Sequence, residues 1–259
     1  MARKITRIAK LAVGRGELLD RFFILRKIAR VLLPEYKFKW PQLDWWDDPV
    51  FNRYLYKFDG ANSVNADRRW MVFQLLRLVK DVPGDTAECG AYKGASSYLI
   101  IKMNNEANTF KKHHYIFDSF EGLSEPMQKD GVFWRKHDLS SSEAVLASNL
   151  AGLKGYTVYK GWIPEKFCSV AEKKFSFVHV DVDLYQPTRE SIEFFYQRLN
   201  ESGIFLCDDY GFNSCPGATK AIDEFLSDKP EKMVMLSAGC GFFIKGKSVQ
   251  DGKYLSGYD

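Results

Sequence analysis

From residue 85 onward, strand-like and helix-like segments alternate, and that alternation limits the fold more than any other feature of the chain. Segments 85–89 (DTAEC), 114–118 (HYIFD), 156–159 (YTVY), 176–181 (SFVHVD), 203–207 (GIFLC), 232–237 (KMVMLS) and 241–245 (GFFIK) read as strands. Segments 94–105, 142–151, 164–173, 188–200 and 216–228 read as helices. The clearest is 188–200, where Ile192, Phe195, Tyr196 and Leu199 repeat at helical spacing after Pro187. Strands separated by helices predict parallel β-α-β units with right-handed crossovers. Only Ala238-Gly239-Cys240 separates the last two strands, which predicts a hairpin and one antiparallel strand. The expected fold is α/β, a seven-stranded and mostly parallel sheet with helices on both faces.

Extra helices precede this part. Residues 1–36 place Ile5, Ile8, Leu11, Leu18, Phe22, Leu25 and Ile28 on one face, and Pro34 ends the run. Residues 37–60 are aromatic and acidic, with Trp40, Trp45, Trp46, Phe51, Tyr54 and Tyr56, and read as an ordered loop or short helices. Their rings can cover a cleft or pack a helix layer. Residues 64–80 predict a helix with Trp70, Phe73, Leu76 and Leu78 inward, ended by the turn signal Pro83-Gly84. The expected division is an N-terminal extension, 1–60, and a main domain, 61–259.

Charge and cysteine content narrow the function. Residues 1–39 carry eleven Lys/Arg against three Asp/Glu, an excess of +8, so the net +4 of the whole chain leaves −4 for the remainder. A basic amphipathic N-terminus can touch an anionic membrane surface, and a solvated helix face is the alternative. Nucleic acid is not an expected partner, because the basic excess stops before the main domain. Five cysteines without a CxxC pair speak against a zinc site and a disulfide framework, and so for the cytoplasm. No apolar run approaches the roughly 20 residues that span a bilayer, and charges interrupt the first twenty residues, unlike a signal peptide.

Glu88-Cys89-Gly90-Ala91-Tyr92-Lys93-Gly94 follows the first strand of the main domain and opens a helix. Ligands of open parallel sheets sit at such carboxyl ends. Glycines there let backbone approach a ligand, and the helix start with Ser96 and Ser97 offers donors to a carboxylate. A structural turn is the alternative. Cys89 stands where a dinucleotide fingerprint has its first glycine, and no Gly-Lys-Ser/Thr follows as in a phosphate loop. E-x-G-x-x-x-G is the pattern of class I methyltransferases. Asp118 ends the second strand, where an acid can accept hydrogen bonds from a ribose diol or can start a turn.

Asp181-Val182-Asp183 and Asp208-Asp209-Tyr210 each end an apolar strand. If those strands are neighbours, the acids converge and need a cation or a proton between them. Oxygen ligands suit Mg²⁺, or Mn²⁺ in the same geometry. Asp181, Asp208 and Asp209 are the expected ligands and Asp183 the alternative, with no His or Cys accompanying them in a zinc pattern.

Taken in order, Val82-Pro83-Gly84-Asp85, Glu88-Cys89-Gly90 with Gly94, Asp118-Ser119-Phe120-Glu121-Gly122, Gly161-Trp162, Asp181-Val182-Asp183-Leu184-Tyr185 and Asp208-Asp209-Tyr210 resemble the macrocin O-methyltransferase family. Its members methylate sugar hydroxyls. The resemblance implies a class I, Rossmann-like fold, S-adenosylmethionine at Glu88, Gly90, Gly94 and Asp118, and Mg²⁺ at Asp181, Asp208 and Asp209. The glycine loop and the helix start after it add Ala91, Ser96 and Ser97 to the expected cofactor positions, and the matched stretches add Ser119, Gly161 and Trp162. The resemblance also implies a sugar or glycan substrate and homo-oligomers. The base is expected to be His137, in the segment after the second strand, with Asp181 second; a surface role for His137 stays open. Trp134 and Trp162 are candidates to wall the cleft. Other readings are a glycosyltransferase using Asp181 and Asp183 as a D-x-D motif, a catechol-type O-methyltransferase, and a non-catalytic scaffold. The N-terminal 1–60 lies outside the resemblance.

Overall fold

A computed structural model describes residues 18–32, 43–46, 48–59, 65–106 and 109–250. The expected helix positions Ile5, Ile8 and Leu11, its stop at Pro34, and Trp40 lie outside the described residues. The chain divides into two compact units, Met1–Ala61 and Asn62–Asp259.

The first unit contains helix α1 (Leu18–Leu32), a 3-10 turn (Asp44–Trp46) and helix α2 (Pro49–Asp59). Asp48 precedes α2 and its Oδ1 accepts the Phe51 N–H at 2.6 Å, satisfying one donor that a helix start leaves open. Pro49 fits the first helical position because no N–H is needed there. The rings of Phe51, Tyr54 and Phe58 pack along α2, with centroids 5.6 and 5.4 Å apart. Trp45 meets Phe51 edge-on at 6.0 Å.

The second unit is built on strands β1 (Asp85–Cys89), β2 (His114–Asp118), β3 (Tyr156–Lys160), β4 (Phe175–Val180), β5 (Leu199–Cys207), β6 (Val234–Met235) and β7 (Gly241–Ile244). Their order is β3-β2-β1-β4-β5-β7-β6. Strands β1 to β5 pair in parallel, and β7 runs antiparallel to both β5 and β6. The order reverses at β1, so the ends of β1 and β4 border the crevice where such sheets bind ligands.

Helices α3 (Ala66–Leu78), α4 (Ala95–Glu106), α5 (Glu143–Asn149), α6 (Tyr185–Tyr196) and α7 (Pro216–Leu226) cover the sheet. Alternate strand residues feed opposite faces, as the two-residue period requires. Val178, Val180, Phe205 and Cys207 pack with Ile192 and Phe195 of α6 and with Ala218 and Ile222 of α7. Phe177, Ile204 and Leu206 pack on the other face with Val72, Leu75 and Leu76 of α3. Burying one such Phe or Leu side chain stabilises the fold by about 1.5–3 kcal/mol.

Several boundaries differ from expectation. Segment 164–173 forms only a 3-10 turn, Phe167–Val170, whose buried Phe167 and Val170 stand three residues apart, the period of that helix. Helix α6 starts at Tyr185, three residues before the expected 188, and carries Pro187 in its first turn, where the missing N–H has no intrahelical partner. Leu199 and Asn200 open β5 instead of closing α6, because Leu199 is buried against the sheet. Segment 232–237 narrows to Val234–Met235. In α3 the inward face is Val72, Leu75 and Leu76, while Leu78 is exposed. Trp70 and Phe73 stack on each other, centroids 5.4 Å apart. Among the described residues no helix is long and apolar enough to cross a membrane, and all five cysteines are free.

Candidate active site

The loop after β1 is held by β2. Ala91 and Tyr92 N–H groups donate to Asp118 Oδ2 at 2.7 and 2.9 Å, and Phe120 N–H donates to Oδ1 at 2.6 Å. The Asp118 carbonyl accepts Gly161 N–H at 3.0 Å. One residue therefore ties the glycine loop, the turn after β2 and the turn after β3 together. Ser119 Oγ closes that second turn, accepting Glu121 N–H at 3.0 Å and donating to Gly122 O at 3.1 Å. Trp162 is half-buried beside Gly161.

The glycines of this loop answer to the fold itself. Gly90 has φ +82°, and a Cβ there would collide with the Asp181 carbonyl. Gly94 has φ +85°, and a Cβ would stand 2.6 Å from Leu146 Cδ1 of α5. Close approach to protein, where approach to a ligand was expected, already excludes a side chain at both positions. Ala91, Ser96 and Ser97 are likewise buried.

Glu88 does not turn toward the loop. Its side chain has no exposed surface: Oε2 accepts the Ser97 hydroxyl, Oε1 lies 3.0 Å from His179 Nδ1, and His114 Nε2 stands 3.6 Å from Oε2. Burial pushes the Glu88 carboxyl up, but His114 and His179 outweigh it and hold it well below the usual range. The chain of contacts continues across the sheet. His179 Nε2 faces Asp208 Oδ1 at 3.6 Å, and Asp208 Oδ2 pairs with the Arg68 guanidinium of α3. Arg68 is steadied by Asn65 Oδ1 at 2.7 Å and by the Phe212 ring at 5.0 Å. Burial disfavours the His179 imidazolium, yet Asp208 and Glu88 raise its pKa to about 9. Burial likewise disfavours the Asp208 carboxylate, and His179 and Arg68 hold its pKa far below normal.

The acids at the ends of β4 and β5 form two groups. Asp181 and Asp208 meet with His179, and Asp183 and Asp209 meet with Cys215; within each group the candidate ligand atoms lie within 4.8 Å of one another. Asp209 Oδ2 accepts the Val182 and Asp183 N–H groups at 3.1 and 2.8 Å. Asp183 takes a left-handed φ of +58°, and its Oδ1 lies 3.5 Å from Cys215 Sγ. Burial, then the Asp208 charge, pushes the Asp181 carboxyl up to about 6. Burial, then Asp181, pushes Asp183 up to about 7. Burial, then Asp183, moves Asp209 well above the ordinary carboxylate range. These shifts report a shortage of positive charge.

His137 lies apart from these groups, exposed and with φ +68° in the loop between β2 and α5. Its Nδ1 is 3.0 Å from the Glu121 carbonyl. Cys215 stands by Asp183 and Asp209, and the histidine beside Asp181 and Asp208 is His179. Its signal was the two-residue period of β4, which sets His179 on the face of Asp181. Arg68 and Cys215 carried no motif and enter through tertiary packing. Trp134 Nε1 donates to Cys215 Sγ at 3.3 Å, which makes Trp134 part of the wall behind Asp183. Asp130, also without a motif, has a buried carboxylate that accepts Tyr185 N–H at 2.6 Å and Met127 N–H at 2.7 Å, fastening the β2–α5 loop to the start of α6.

Residues 72–243 match the family described as Macrocin-O-methyltransferase (TylF). Among curated proteins, the chain is 26% identical over 152 residues to an 8-demethyl-8-(2,3-dimethoxy-alpha-L-rhamnosyl)-tetracenomycin-C 4'-O-methyltransferase of Streptomyces olivaceus, covering 54% of this chain and 58% of the relative. It is 23% identical over 156 residues to a demethyldecarbamoylnovobiocin O-methyltransferase of Streptomyces niveus, covering 56% and 59%. The chain thus spans somewhat over half the length of these curated relatives. Among solved structures, the O-methyltransferase NovP shares the fold at a TM-score of 0.59 and 20% identity, over 69% of this chain and 79% of that one. CalS11, a calicheamicin methyltransferase, shares it at a TM-score of 0.62 and 16% identity, over 83% and 97%. With two thirds of its length inside the family match, and with the sheet order and strand-end acids described above, the chain belongs to the macrocin O-methyltransferase family.

Proposed function

We propose that this protein transfers a methyl group from S-adenosylmethionine to a sugar hydroxyl of a glycan, glycolipid or glycosylated metabolite, with Mg²⁺ or Mn²⁺ at the strand-end acids. One observation carries the reading: Asp181 and Asp208 end neighbouring strands beside the Asp118-held loop of β1. The name of the Streptomyces olivaceus relative, a 4'-O-methyltransferase of a rhamnosyl compound, supports the acceptor class.

Gly90, Ala91, Gly94, Ser96, Asp118, Ser119, Gly161 and Trp162 would surround the cofactor, with Glu88 and Ser97 bracing the loop from inside. Bound there, S-adenosylmethionine supplies an electrophilic methyl group. The acids fit a hard divalent cation. Their donors are carboxylate oxygens, and Asp208 Oδ1 is buried without a hydrogen-bond partner. Asp181 and Asp208 would hold the ion, and Asp209, which groups with Asp183 and Cys215, would join them through its place next to Asp208 in the chain; the bound ion lowers the pKa of an acceptor hydroxyl.

The chain's own work is to orient the acceptor, exclude water and take the proton. Asp181 stands among the acids and is one candidate for the base. His137 is the second candidate: a carbonyl only accepts, so Nδ1 carries the proton and a neutral ring keeps its Nε2 lone pair. The glycosyltransferase reading is disfavoured because it leaves the Asp208-Asp209 pair and the glycine loop after β1 without a role. We extend the reading to an oligomer. It also includes contact of α1 with anionic lipid, supported by exposed Leu25, Ile28, Val31 and Leu32 beside Arg21, Arg26 and Lys27.

Calorimetry with S-adenosylhomocysteine, against a set of UDP-sugars, tests the cofactor. Labelled S-adenosylmethionine with nucleotide sugars, lipid-linked glycans and polysaccharides, with and without Mg²⁺, tests the acceptor and the metal. Absence of S-adenosylhomocysteine binding sinks the reading, and equal turnover in excess chelator sinks the metal.

A further inference from the structure

We propose that His179 is a positioning residue that bridges Glu88 and Asp208 and fixes the orientation of Asp208, so that Asp208 and Asp181 stand preorganised for a divalent cation. The inference rests on the reading of these two acids as a cation site.

His179 lies on β4 between the two strands that carry the flanking acids. It is the direct register partner of Glu88 on β1, and β5, which leads into Asp208, pairs on its other side. His179 Nδ1 is 3.0 Å from Glu88 Oε1, and Nε2 is 3.6 Å from Asp208 Oδ1. Nε2 and Oδ1 are both buried without a hydrogen-bond partner, and they face each other at 3.6 Å. The Glu88 carboxylate can only accept, so Nδ1 is the donor toward it, and this turns Nε2 toward Asp208 as an electrostatic neighbour beyond hydrogen-bond length. The ring cannot drift, because Glu88 is itself anchored by Ser97 through its other oxygen. Outer partners of this kind set the direction of a ligand carboxylate and its affinity for metal. The bridge also joins the strand before the glycine loop to the acid at the end of β5.

Two amide substitutions separate its halves. His179→Gln places an amide nitrogen near the position of Nε2 and keeps a donor toward Asp208. His179→Asn places one near Nδ1 and keeps a donor toward Glu88 only. Mn²⁺ binding to the full-length protein, without cofactor or acceptor, is measured by calorimetry and by the spin signal of free Mn²⁺, beside thermal melting. The expected result is Mn²⁺ affinity weakened about 10- to 100-fold in His179→Asn and held within about threefold in His179→Gln, with similar melting losses in both. If either variant fails to fold, Glu88→Gln, which loosens the hold on His179, is expected to weaken Mn²⁺ binding about tenfold. Affinity unchanged in the Asn variant, or lost equally in both, overturns the positioning role while the cation site stands. A wild-type protein that does not bind Mn²⁺ overturns both.

Discussion

Asp181 and Asp183 are two residues apart and belong to different groups, the first with His179 and Asp208, the second with Asp209 and Cys215. The left-handed turn at Asp183, held by Asp209 through two backbone N–H groups, is what parts them. An extended backbone would have set both carboxylates on one side.

That separation predicts different fates for two like substitutions. Asp181→Asn is expected to lower Mg²⁺-dependent methyl transfer about 100-fold or more, with S-adenosylhomocysteine affinity nearly unchanged. Asp183→Asn is expected to act mainly through the turn at the start of α6, with a smaller loss. Transfer of labelled methyl beside calorimetry measures both, and equal losses in the two variants would contradict the division into groups.

Gly90 and Gly152 offer a matched test of why the loop is glycine. Both have positive φ, +82° and +84°, but a Cβ on Gly90 strikes the Asp181 carbonyl while one on Gly152 meets nothing within 4 Å. Gly152→Ala is therefore expected to cost about 1–2 kcal/mol, the conformational penalty alone. Gly90→Ala adds a backbone collision and is expected to cost at least about 3 kcal/mol. Urea unfolding of the two variants measures the difference, and equal losses would mean that the loop moves aside without cost.

Much of the fold was legible because the strands are short, apolar and set off by turn residues. The seven strands and most helices of the second unit follow from period and turn residues, and the antiparallel strand from the short link Ala238-Gly239-Cys240. What period could not show is which residue a carboxylate faces. Glu88 reads as a loop acid, yet β1 turns it inward to Ser97 and His179. Segment 164–173 has apolar residues enough for a helix, but Phe167 and Val170 fill their places in a single 3-10 turn. Arg68 stands 140 residues from Asp208 and carries no local signal.

Asp118 is expected to control the cofactor loop as a whole. It accepts three backbone N–H groups, two from the glycine loop, and hydrogen bonds to a charged acceptor are worth about 1.5–3 kcal/mol each when intact. Asp118→Ala is expected to lower S-adenosylhomocysteine affinity about tenfold or more and to destabilise the second unit by about 2–3 kcal/mol. Asp118→Asn keeps the shape and part of the bonding, and should lie between. Calorimetry and urea unfolding read the two effects separately. Full affinity in Asp118→Ala would show that the loop holds its form without this acid.

The stability of the protein should fall between pH 7 and 9, and His179 should be a main reason. Its pKa is raised to about 9 in the folded state by Asp208 and Glu88 against the opposing effect of burial, while the unfolded ring titrates near its ordinary 6.5. A group whose folded pKa is raised contributes its full stabilisation below the unfolded pKa and loses it as pH rises through the folded one, so the loss spans about 6.5 to 9. Asp181, raised to about 6, is spent by about pH 7, whereas Asp183, raised to about 7, and Asp209, well above the ordinary carboxylate range, favour the folded state while protonated and add to the decline above pH 7. Lys112, lowered to about 8 by burial, acts in the opposite direction and chiefly above pH 8. Between pH 7 and 8 the histidine should therefore share the decline with Asp183 and Asp209, and over its full window it is worth roughly 1–3 kcal/mol. Urea unfolding in chelator at several pH values tests this, because bound cation would add its own proton linkage. In His179→Gln the decline from pH 7 to 8 should become clearly shallower. A wild-type profile that is flat there, or a decline as steep in the variant as in the wild type, would show that the ring between Glu88 and Asp208 is not charged as its neighbours require.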